Sequence, residues 1–132
     1  MADDEPRGSS SGRGILIVED DFLIAAELAR LLRDRGYQVL GPIPSVAGAC
    51  AVLQWHHPAA ALLDLKLRDG CVVPAAKALA EVGVPFALVT GSGTADLGEP
   101  LLQKVPRLGK PYDETVLLRM LDGLLTPSES CR

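Results

Sequence analysis

Residues 15–21 read ILIVEDD, so four aliphatic residues stand directly before three carboxylates, Glu19, Asp20 and Asp21. A continuous aliphatic run is typical of a strand that is buried on both faces of a parallel sheet. Carboxylates crowded at the end of such a strand repel one another, and their desolvation is costly unless a cation neutralises them. The stretch therefore predicts a central strand over residues 14–18 and a cation bound at its carboxyl end.

The composition limits the class of protein. The chain has 132 residues, of which 48% are hydrophobic and 23% are charged, and its formal net charge is −4. These values are typical of one globular domain. The acidic balance and the lack of a long basic run argue against direct contact with nucleic acid.

No apolar segment is long enough to span a membrane, so we expect a cytoplasmic protein with no membrane partner. Cys50, Cys71 and Cys131 lack metal-site spacing and indicate reduced thiols, the first two packed in the core.

Short apolar runs alternate with amphipathic stretches along the chain. The predicted strands cover residues 14–18, 37–41, 60–63, 86–89 and 105–108. The predicted helices cover residues 22–35, 46–55, 72–81 and 112–124. Residues 95–104 allow only a short, degenerate fourth helix because Gly98 and Pro100 interrupt them.

This alternation predicts an α/β fold with a doubly wound, five-stranded parallel sheet. Pro42 and Pro44 are expected to end the second strand, and Pro106 places the fifth strand at an edge. We assign residues 14–125 to one domain. Residues 1–13 and 126–132 are expected to be flexible tails, since the first is Gly/Ser-rich and lacks the apolar core of a secretory signal.

Polar residues follow the predicted strands. Asp64 follows the third strand, Thr90 the fourth, and Lys110 lies just beyond the fifth. The carboxyl ends of parallel strands meet at one edge of a sheet, where such folds bind ligands. Carboxylates with room for water suit Mg²⁺, while a lysine and a hydroxyl suit a phosphoryl group. The pattern predicts a Mg²⁺-dependent site that handles phosphate, with an aspartate as nucleophile.

Four stretches at these strand ends resemble the receiver domain of two-component response regulators. They are VEDD (18–21), LLDLKLRDG (62–70), LVTG (88–91) and GKP (109–111). The resemblance covers about residues 14–125 and implies a flavodoxin-like receiver fold with strand order 2-1-3-4-5. It implies that Asp64 accepts a phosphoryl group from the phosphohistidine of a sensor histidine kinase in the presence of Mg²⁺.

The resemblance also implies the roles of the neighbouring residues. Asp20 matches the direct Mg²⁺ ligand, and Glu19 matches the acid that acts on the metal mainly through water. The main-chain carbonyl of Lys66 completes the metal shell together with Asp64.

Three further positions match the part of the family that responds to phosphate. Thr90 matches the hydroxyl that turns to the phosphoryl group, Lys110 the lysine that pairs with it, and Pro111 the cis-bonded proline. Arg107 stands where the family carries an aromatic switch residue, so the chain departs here from the family's pattern, in which a threonine is coupled to an aromatic ring. Lys66 and Ser92 occupy positions that tune the lifetime of the phosphorylated state.

The segment PFALVTGSG (85–93) resembles a subgroup of stand-alone receivers with a FATGY-like motif, known mainly from alphaproteobacteria. The short interval between Asp64 and Thr90 and the degenerate fourth helix agree with it, whereas Ser92 replaces the aromatic residue of the motif. This resemblance implies an HWE-type histidine kinase as partner. Receivers in general often dimerise through the face of the fourth helix, fifth strand and fifth helix, which is irregular here, so a homodimer and a monomer both stay open. Because only a short tail follows the last helix, we expect output through a downstream protein or a phosphotransfer protein; an excised domain is the alternative.

Two other functions stay open. A Mg²⁺-dependent phosphohydrolase with an aspartyl-phosphate intermediate needs a second acid two residues after Asp64, where Lys66 stands. A pseudo-receiver would fold and bind partners without accepting phosphate. We expect a signalling receiver and not an enzyme that turns over an external substrate.

Several residues near these motifs have simple structural interpretations. Asp21 is a helix N-cap or a further Mg²⁺ ligand. Asp69 and Gly70 fit a local turn, and Gly91-Ser92-Gly93 fits a hinge. Trp55 is expected to be half-buried at a helix end, and the adjacent pair His56-His57 predicts a turn and not a metal site.

Overall fold

A five-stranded parallel sheet forms the centre of the computed structural model, which describes residues 14–90 and 100–126. Its strands are β1 (Gly14–Val18), β2 (Gln38–Ile43), β3 (Ala60–Leu63), β4 (Phe86–Thr90) and β5 (Arg107–Gly109). Their order is β2-β1-β3-β4-β5, and every neighbouring pair is parallel. This confirms the predicted order 2-1-3-4-5.

Helices join the strands and cover both faces of the sheet. They are α1 (Phe22–Asp34), α2 (Val46–Leu53), α3 (Val73–Glu81), α4 (Pro100–Gln103) and α5 (Glu114–Leu125). In the described part of the 95–104 region, α4 is a single short helix, as the sequence predicts for a degenerate fourth helix. None of the helices in the described residues is long and apolar enough to cross a membrane.

The core has two layers because successive side chains of each strand point to opposite faces of the sheet. Leu16 and Val18 of β1 pack with α2 and α3 on one face, whereas Ile15 and Ile17 pack with α1 and α5 on the other. All residues of β1, β3 and β4 are buried. The continuous aliphatic runs of these central strands arise from this double coverage.

The bounds of the two edge strands differ most from the prediction. β2 does not end before Pro42 but continues to Ile43, and the Gly41-Pro42 peptide bond is cis. Proline is tolerated there because β2 is an edge strand whose pairing with β1 shifts register between Leu16 and Val18. β5 is at the opposite edge, as predicted, but it begins at Arg107, after Pro106.

A short antiparallel hairpin, Lys66–Leu67 paired with Gly70–Cys71, follows β3 and was not predicted. Gly70 has a φ of 135°, a backbone conformation that favours glycine. Leu65 and Leu67 are buried and anchor the hairpin to the core. The predicted turn is therefore the tip of a larger unit, which begins directly after Asp64.

Two predictions of burial are wrong. Cys71 is exposed because it lies on the outer strand of the hairpin, while Cys50 is half-buried and packs against the core as expected. Trp55 is 82% exposed because α2 ends at Leu53, which leaves the indole beyond the packed face of the helix. His57 lies in the predicted irregular segment, with Nε2 3.0 Å from the carbonyl oxygen of Val82.

Candidate functional site

Three carboxylates meet at the carboxyl edge of the sheet. Glu19 and Asp20 follow β1, and Asp64 follows β3, which is the neighbour of β1. The N–H of Asp64 donates to the carbonyl of Val18 at 2.9 Å, so the sheet ladder itself fixes the starting points of both segments. One oxygen atom from each of the three side chains lies within 4.8 Å of the others. The structure thus brings together the acids that the sequence placed at separate strand ends.

Lys110 is the cation beside these acids. Its Nζ lies 2.6 Å from Oε1 of Glu19 and 3.5 Å from Oδ2 of Asp64. The side chain starts just beyond β5 and is 14% exposed, and the main-chain N–H donates to the carbonyl of Thr90 at 3.0 Å. The Lys110-Pro111 peptide bond is cis, in agreement with the resemblance.

The protein engages both carboxylate oxygens of Glu19. Oε1 accepts from Lys110, and Oε2 accepts from the N–H of Asp21 at 3.0 Å. Its main-chain N–H donates to the carbonyl of Ile43 at 2.9 Å, and the residue is 3% exposed. Glu19 is therefore a fixed acid behind Asp20 and Asp64, an arrangement that fits contact with a metal through water.

The electrostatics of the site reflect an excess of negative charge. Burial raises the pKa of the Glu19 carboxyl above its ordinary value, although the hydrogen bond from Lys110 opposes this change. Burial alone would lower the pKa of the Lys110 ammonium, but the hydrogen bond to Glu19 and the charge of Asp64 outweigh burial and raise it. Lys110 consequently stays protonated at neutral pH. Among the described side chains, these three carboxylates and the Lys110 ammonium together carry a formal charge of −2.

This donor set fits a small divalent cation. Carboxylate oxygens are the hard ligands that Mg²⁺ prefers, and Mg²⁺ usually takes one or two carboxylates and keeps several waters. Asp20 and Asp64 are partly exposed and would supply the carboxylates, with Glu19 behind them. The main chain of Lys66 belongs to the first strand of the hairpin, two residues after Asp64 in the chain.

The remaining predicted positions are placed as follows. Thr90 ends β4, between the strands that carry Asp64 and Lys110, and is 2% exposed. Arg107 is exposed at the start of β5, paired in register with Leu88. Ser92, like the rest of the predicted Gly-Ser-Gly hinge, lies outside the described residues.

Asp21 is the N-cap of α1 and not a member of the acidic cluster. Its Oδ1 accepts from the N–H groups of Leu23 and Ile24 at 3.0 and 3.1 Å. The structure supports the helix-capping interpretation and leaves Glu19, Asp20 and Asp64 as the acids in one place.

Asp69 has a role that its local interpretation as a turn residue missed. Its two carboxylate oxygens accept from the N–H groups of Val46 and Ala47, at 2.8 and 3.1 Å. The residue therefore connects the hairpin to the first turn of α2. An Asp-Gly pair in a turn gives no signal for a partner so far upstream, and the sequence could not have identified it.

The chain is similar to known signalling proteins, although no family model matches it. The transcriptional regulatory protein PdtaR of Mycobacterium tuberculosis is 33% identical over 90 residues, which cover 66% of this chain and 43% of that protein. The chain thus spans less than half the length of this curated relative.

Many solved structures share its fold, among them two receiver domains. The signal receiver domain of a modulated diguanylate cyclase from Desulfovibrio desulfuricans is 30% identical, with a TM-score of 0.73, and the match covers 85% of this chain and 92% of that domain. The receiver domain of the sensor histidine kinase PA1611 of Pseudomonas aeruginosa is 23% identical, with a TM-score of 0.76 and coverage of 86% and 98%. That structure contains a magnesium ion coordinated in its active-site cleft, and at this identity the likeness concerns the fold alone.

Proposed function

Because this chain belongs to the receiver-domain family of two-component signalling, we propose that Asp64 accepts a phosphoryl group from the phosphohistidine of a sensor histidine kinase in a Mg²⁺-dependent reaction. One observation carries the proposal: oxygens of Glu19, Asp20 and Asp64 lie within 4.8 Å of one another, and Nζ of Lys110 contacts two of these acids. This cluster has the charge and the donor atoms for a divalent cation and a phosphoryl group.

The proposed transfer is a direct displacement. A carboxylate oxygen of Asp64 attacks the phosphorus, a P–O bond forms as the P–N bond to the histidine breaks, and the imidazole leaves in its neutral form after taking up a proton. Asp64 is half-buried and therefore reachable from solvent, whereas Glu19 is buried and bonded through both oxygens. Of these two acids, Asp64 is the one free to act as nucleophile.

Carboxylates of Asp20 and Asp64 and the main-chain carbonyl of Lys66 would hold the Mg²⁺ ion, with Glu19 acting through water. When bound, the ion neutralises charge on the phosphoryl oxygens and on the attacking acid. Lys110 contributes the second positive charge, and its ammonium pairs with the phosphoryl oxygens after transfer. Its position 3.5 Å from Asp64 requires only a small movement for this new contact.

We propose that the signal leaves the site through Thr90 and Lys110. The main chains of these two residues are joined, because the N–H of Lys110 donates to the carbonyl of Thr90. The Thr90 hydroxyl would turn to the phosphoryl group, and the Lys110 ammonium would pair with it. Both movements would therefore act on the joined ends of β4 and β5. The exposed Arg107 on β5 then presents a charge to a partner instead of a moving aromatic ring. Lys66 and Ser92 are proposed to tune the lifetime of the phosphorylated state.

We also propose the domain bounds, the subgroup and the partners. Residues 14–125 would be the receiver domain, with residues 1–13 and 126–132 as tails, and the receiver would belong to the FATGY-like subgroup and act in the bacterial cytoplasm. An HWE-type histidine kinase would phosphorylate it, and a downstream protein or phosphotransfer protein would receive the signal, with a homodimer as one form of the protein. Phosphotransfer profiling against the purified histidine kinases of the source organism tests the kinase assignment.

The phosphorylation itself is tested with acetyl phosphate and Mg²⁺, read by intact mass. The wild type should gain one phosphoryl unit, Asp64→Asn should gain none, and Asp21→Asn should behave as the wild type because Asp21 caps a helix beside the site. Omission of Mg²⁺ should abolish the mass change. A wild type that never gains mass would favour a pseudo-receiver, and rapid turnover of small phosphate esters would favour a phosphohydrolase.

A further inference from the structure

The hairpin after Asp64 is tied to the start of α2 by a side chain that the proposed reaction does not use. Oδ1 of Asp69 accepts from the N–H of Val46 at 2.8 Å, and Oδ2 accepts from the N–H of Ala47 at 3.1 Å. We call these two hydrogen bonds the Asp69 bridge. Because each oxygen has its own donor, the bridge fixes both the position and the rotation of the carboxylate. The same bonds hold the pKa of Asp69 below its ordinary value.

The helix has its own cap and does not need the bridge to begin. Oγ of Ser45 accepts from the N–H of Gly48 at 3.0 Å, which is the usual N-cap contact. The Asp69 bridge takes the two preceding N–H groups, which in an ordinary helix are left to water or other partners. Its distinctive effect is thus a connection between two segments that lie 22 and 23 residues apart in the chain.

This connection links two segments that are each attached to a residue of the acidic cluster. On one side, the carbonyl of Ile43, just before α2, accepts from the N–H of Glu19 at 2.9 Å. On the other side, the N–H of Val72 donates to the carbonyl of Leu65 at 3.1 Å and closes the base of the hairpin. The Asp69 bridge joins these two sides. Among the described residues, the bond at the base and the buried Leu65 and Leu67 also hold the hairpin.

We propose that Asp69 is a positioning residue for the metal site: it holds the hairpin in the position from which the main-chain carbonyl of Lys66 would reach a metal ion held by Asp20 and Asp64. The inference rests on the proposed function, because it takes this carbonyl as a metal ligand. A ligand on a loosened hairpin must be ordered when the metal binds, and that ordering weakens affinity. Groups that orient metal ligands therefore contribute to affinity without touching the metal.

The test is a titration of the purified protein with Mg²⁺ alone, by isothermal titration calorimetry. Asp69→Ala should bind about tenfold more weakly than the wild type. Asp69→Asn should lie between them, since its amide keeps one acceptor oxygen. Ser45→Ala is the matched control: it removes the local cap of the same helix but leaves the bridge, so its affinity should equal that of the wild type. Asp69→Asn carries the test if Asp69→Ala does not fold.

Hydrogen exchange supplies a readout that does not depend on the metal. The amides of Val46 and Ala47 should lose protection in Asp69→Ala, and unchanged protection would mean that the bridge does not form in solution. Equal Mg²⁺ affinity in the wild type and both Asp69 variants would overturn the role of Asp69 but not the proposed metal site. So would a loss of Mg²⁺ affinity in Ser45→Ala as large as that in Asp69→Ala. A wild type that binds no Mg²⁺ would remove the proposed metal site and this inference together.

Discussion

The replacement Lys110→Met removes the cation of the acidic cluster and keeps a side chain of similar length. Loss of one member of a buried ion pair costs about 3–5 kcal/mol, because the other charge stays buried without a partner. The side chains of Lys110, Glu19 and Asp64 are 14%, 2% and 12% exposed, so solvent screens the pair only weakly. Because the contact of Lys110 with Asp64 is longer than its contact with Glu19, we expect a loss at the lower end of this range, about 3 kcal/mol of unfolding free energy.

Urea unfolding followed by circular dichroism, without Mg²⁺, measures this loss. For a domain of this size, about 3 kcal/mol corresponds to a decrease of about 12 °C in Tm. Lys77→Met is the matched control because Lys77 is exposed on α3, and it should change stability by less than about 0.5 kcal/mol. The double variant Glu19→Gln/Lys110→Met should recover at least about 1 kcal/mol relative to Lys110→Met, since it leaves one fewer unpaired charge.

Magnesium provides the second half of the experiment. A divalent cation bound to the same acids replaces the missing positive charge, so millimolar Mg²⁺ should stabilise Lys110→Met more than it stabilises the wild type. A Lys110→Met variant that loses no more stability than Lys77→Met would contradict this role of the Lys110 ammonium. The difference in unfolding free energy between Lys110→Met and Lys77→Met should also become smaller when Mg²⁺ is added. If it is the same with and without Mg²⁺, the lysine and the metal ion do not interact with the same carboxylates.

Three further outcomes are expected. Mg²⁺ at ten times its Kd should stabilise the wild type by about 1.4 kcal/mol in thermal unfolding, and Asp20→Asn should abolish that gain; an equal gain in both proteins would exclude Asp20 as a ligand. Asp21→Ala should cost about 1 kcal/mol through the lost cap of α1 while leaving the Mg²⁺ affinity unchanged, so a tenfold loss of affinity would contradict its separation from the site. The pKa of the Asp69 carboxyl is lower in the folded protein than in the unfolded chain, where it is near 3.8. The carboxylate therefore contributes its full stabilisation of the fold above pH 3.8, and this contribution is lost as the pH falls through the folded-state pKa. The stability difference between wild type and Asp69→Asn should therefore be constant from pH 5 to 7 and shrink in more acidic buffers, and a difference that grows on acidification would contradict this sign.

The central strands were predictable because their environment leaves a strong pattern. β1, β3 and β4 are covered on both faces, so their sequences are continuous apolar runs, and the predicted bounds differ from the structure by at most one residue. The edge strands were less predictable. β2 contains a proline that only an edge position and an irregular register tolerate, and neither condition is visible before the strand order is known.

The acidic cluster was predictable for a topological reason. In a parallel sheet, all carboxyl ends lie on one edge, so acids that follow β1 and β3 must be close once these strands are neighbours. The lysine after β5 joins them for the same reason, because a long side chain reaches across the end of β4. The Asp69 bridge was not predictable, since it depends on the angle at which a hairpin leaves the sheet. No periodicity in the sequence encodes that angle.

The two contacts of Lys110 indicate how the site responds to added charge. The ammonium lies 2.6 Å from a carboxylate oxygen of Glu19 and 3.5 Å from one of Asp64. Glu19 is also held by the N–H of Asp21 and the carbonyl of Ile43. Additional negative charge on Asp64 would draw the ammonium away from an acid that cannot follow it. Because the main chain of Lys110 is bonded to Thr90, that pull acts on the ends of β4 and β5 together. In Lys110→Arg, the planar guanidinium cannot move between two acids as the compact ammonium does. We therefore expect this variant to be phosphorylated by acetyl phosphate. Its amide chemical shifts along β5 should change less on phosphorylation than those of the wild type.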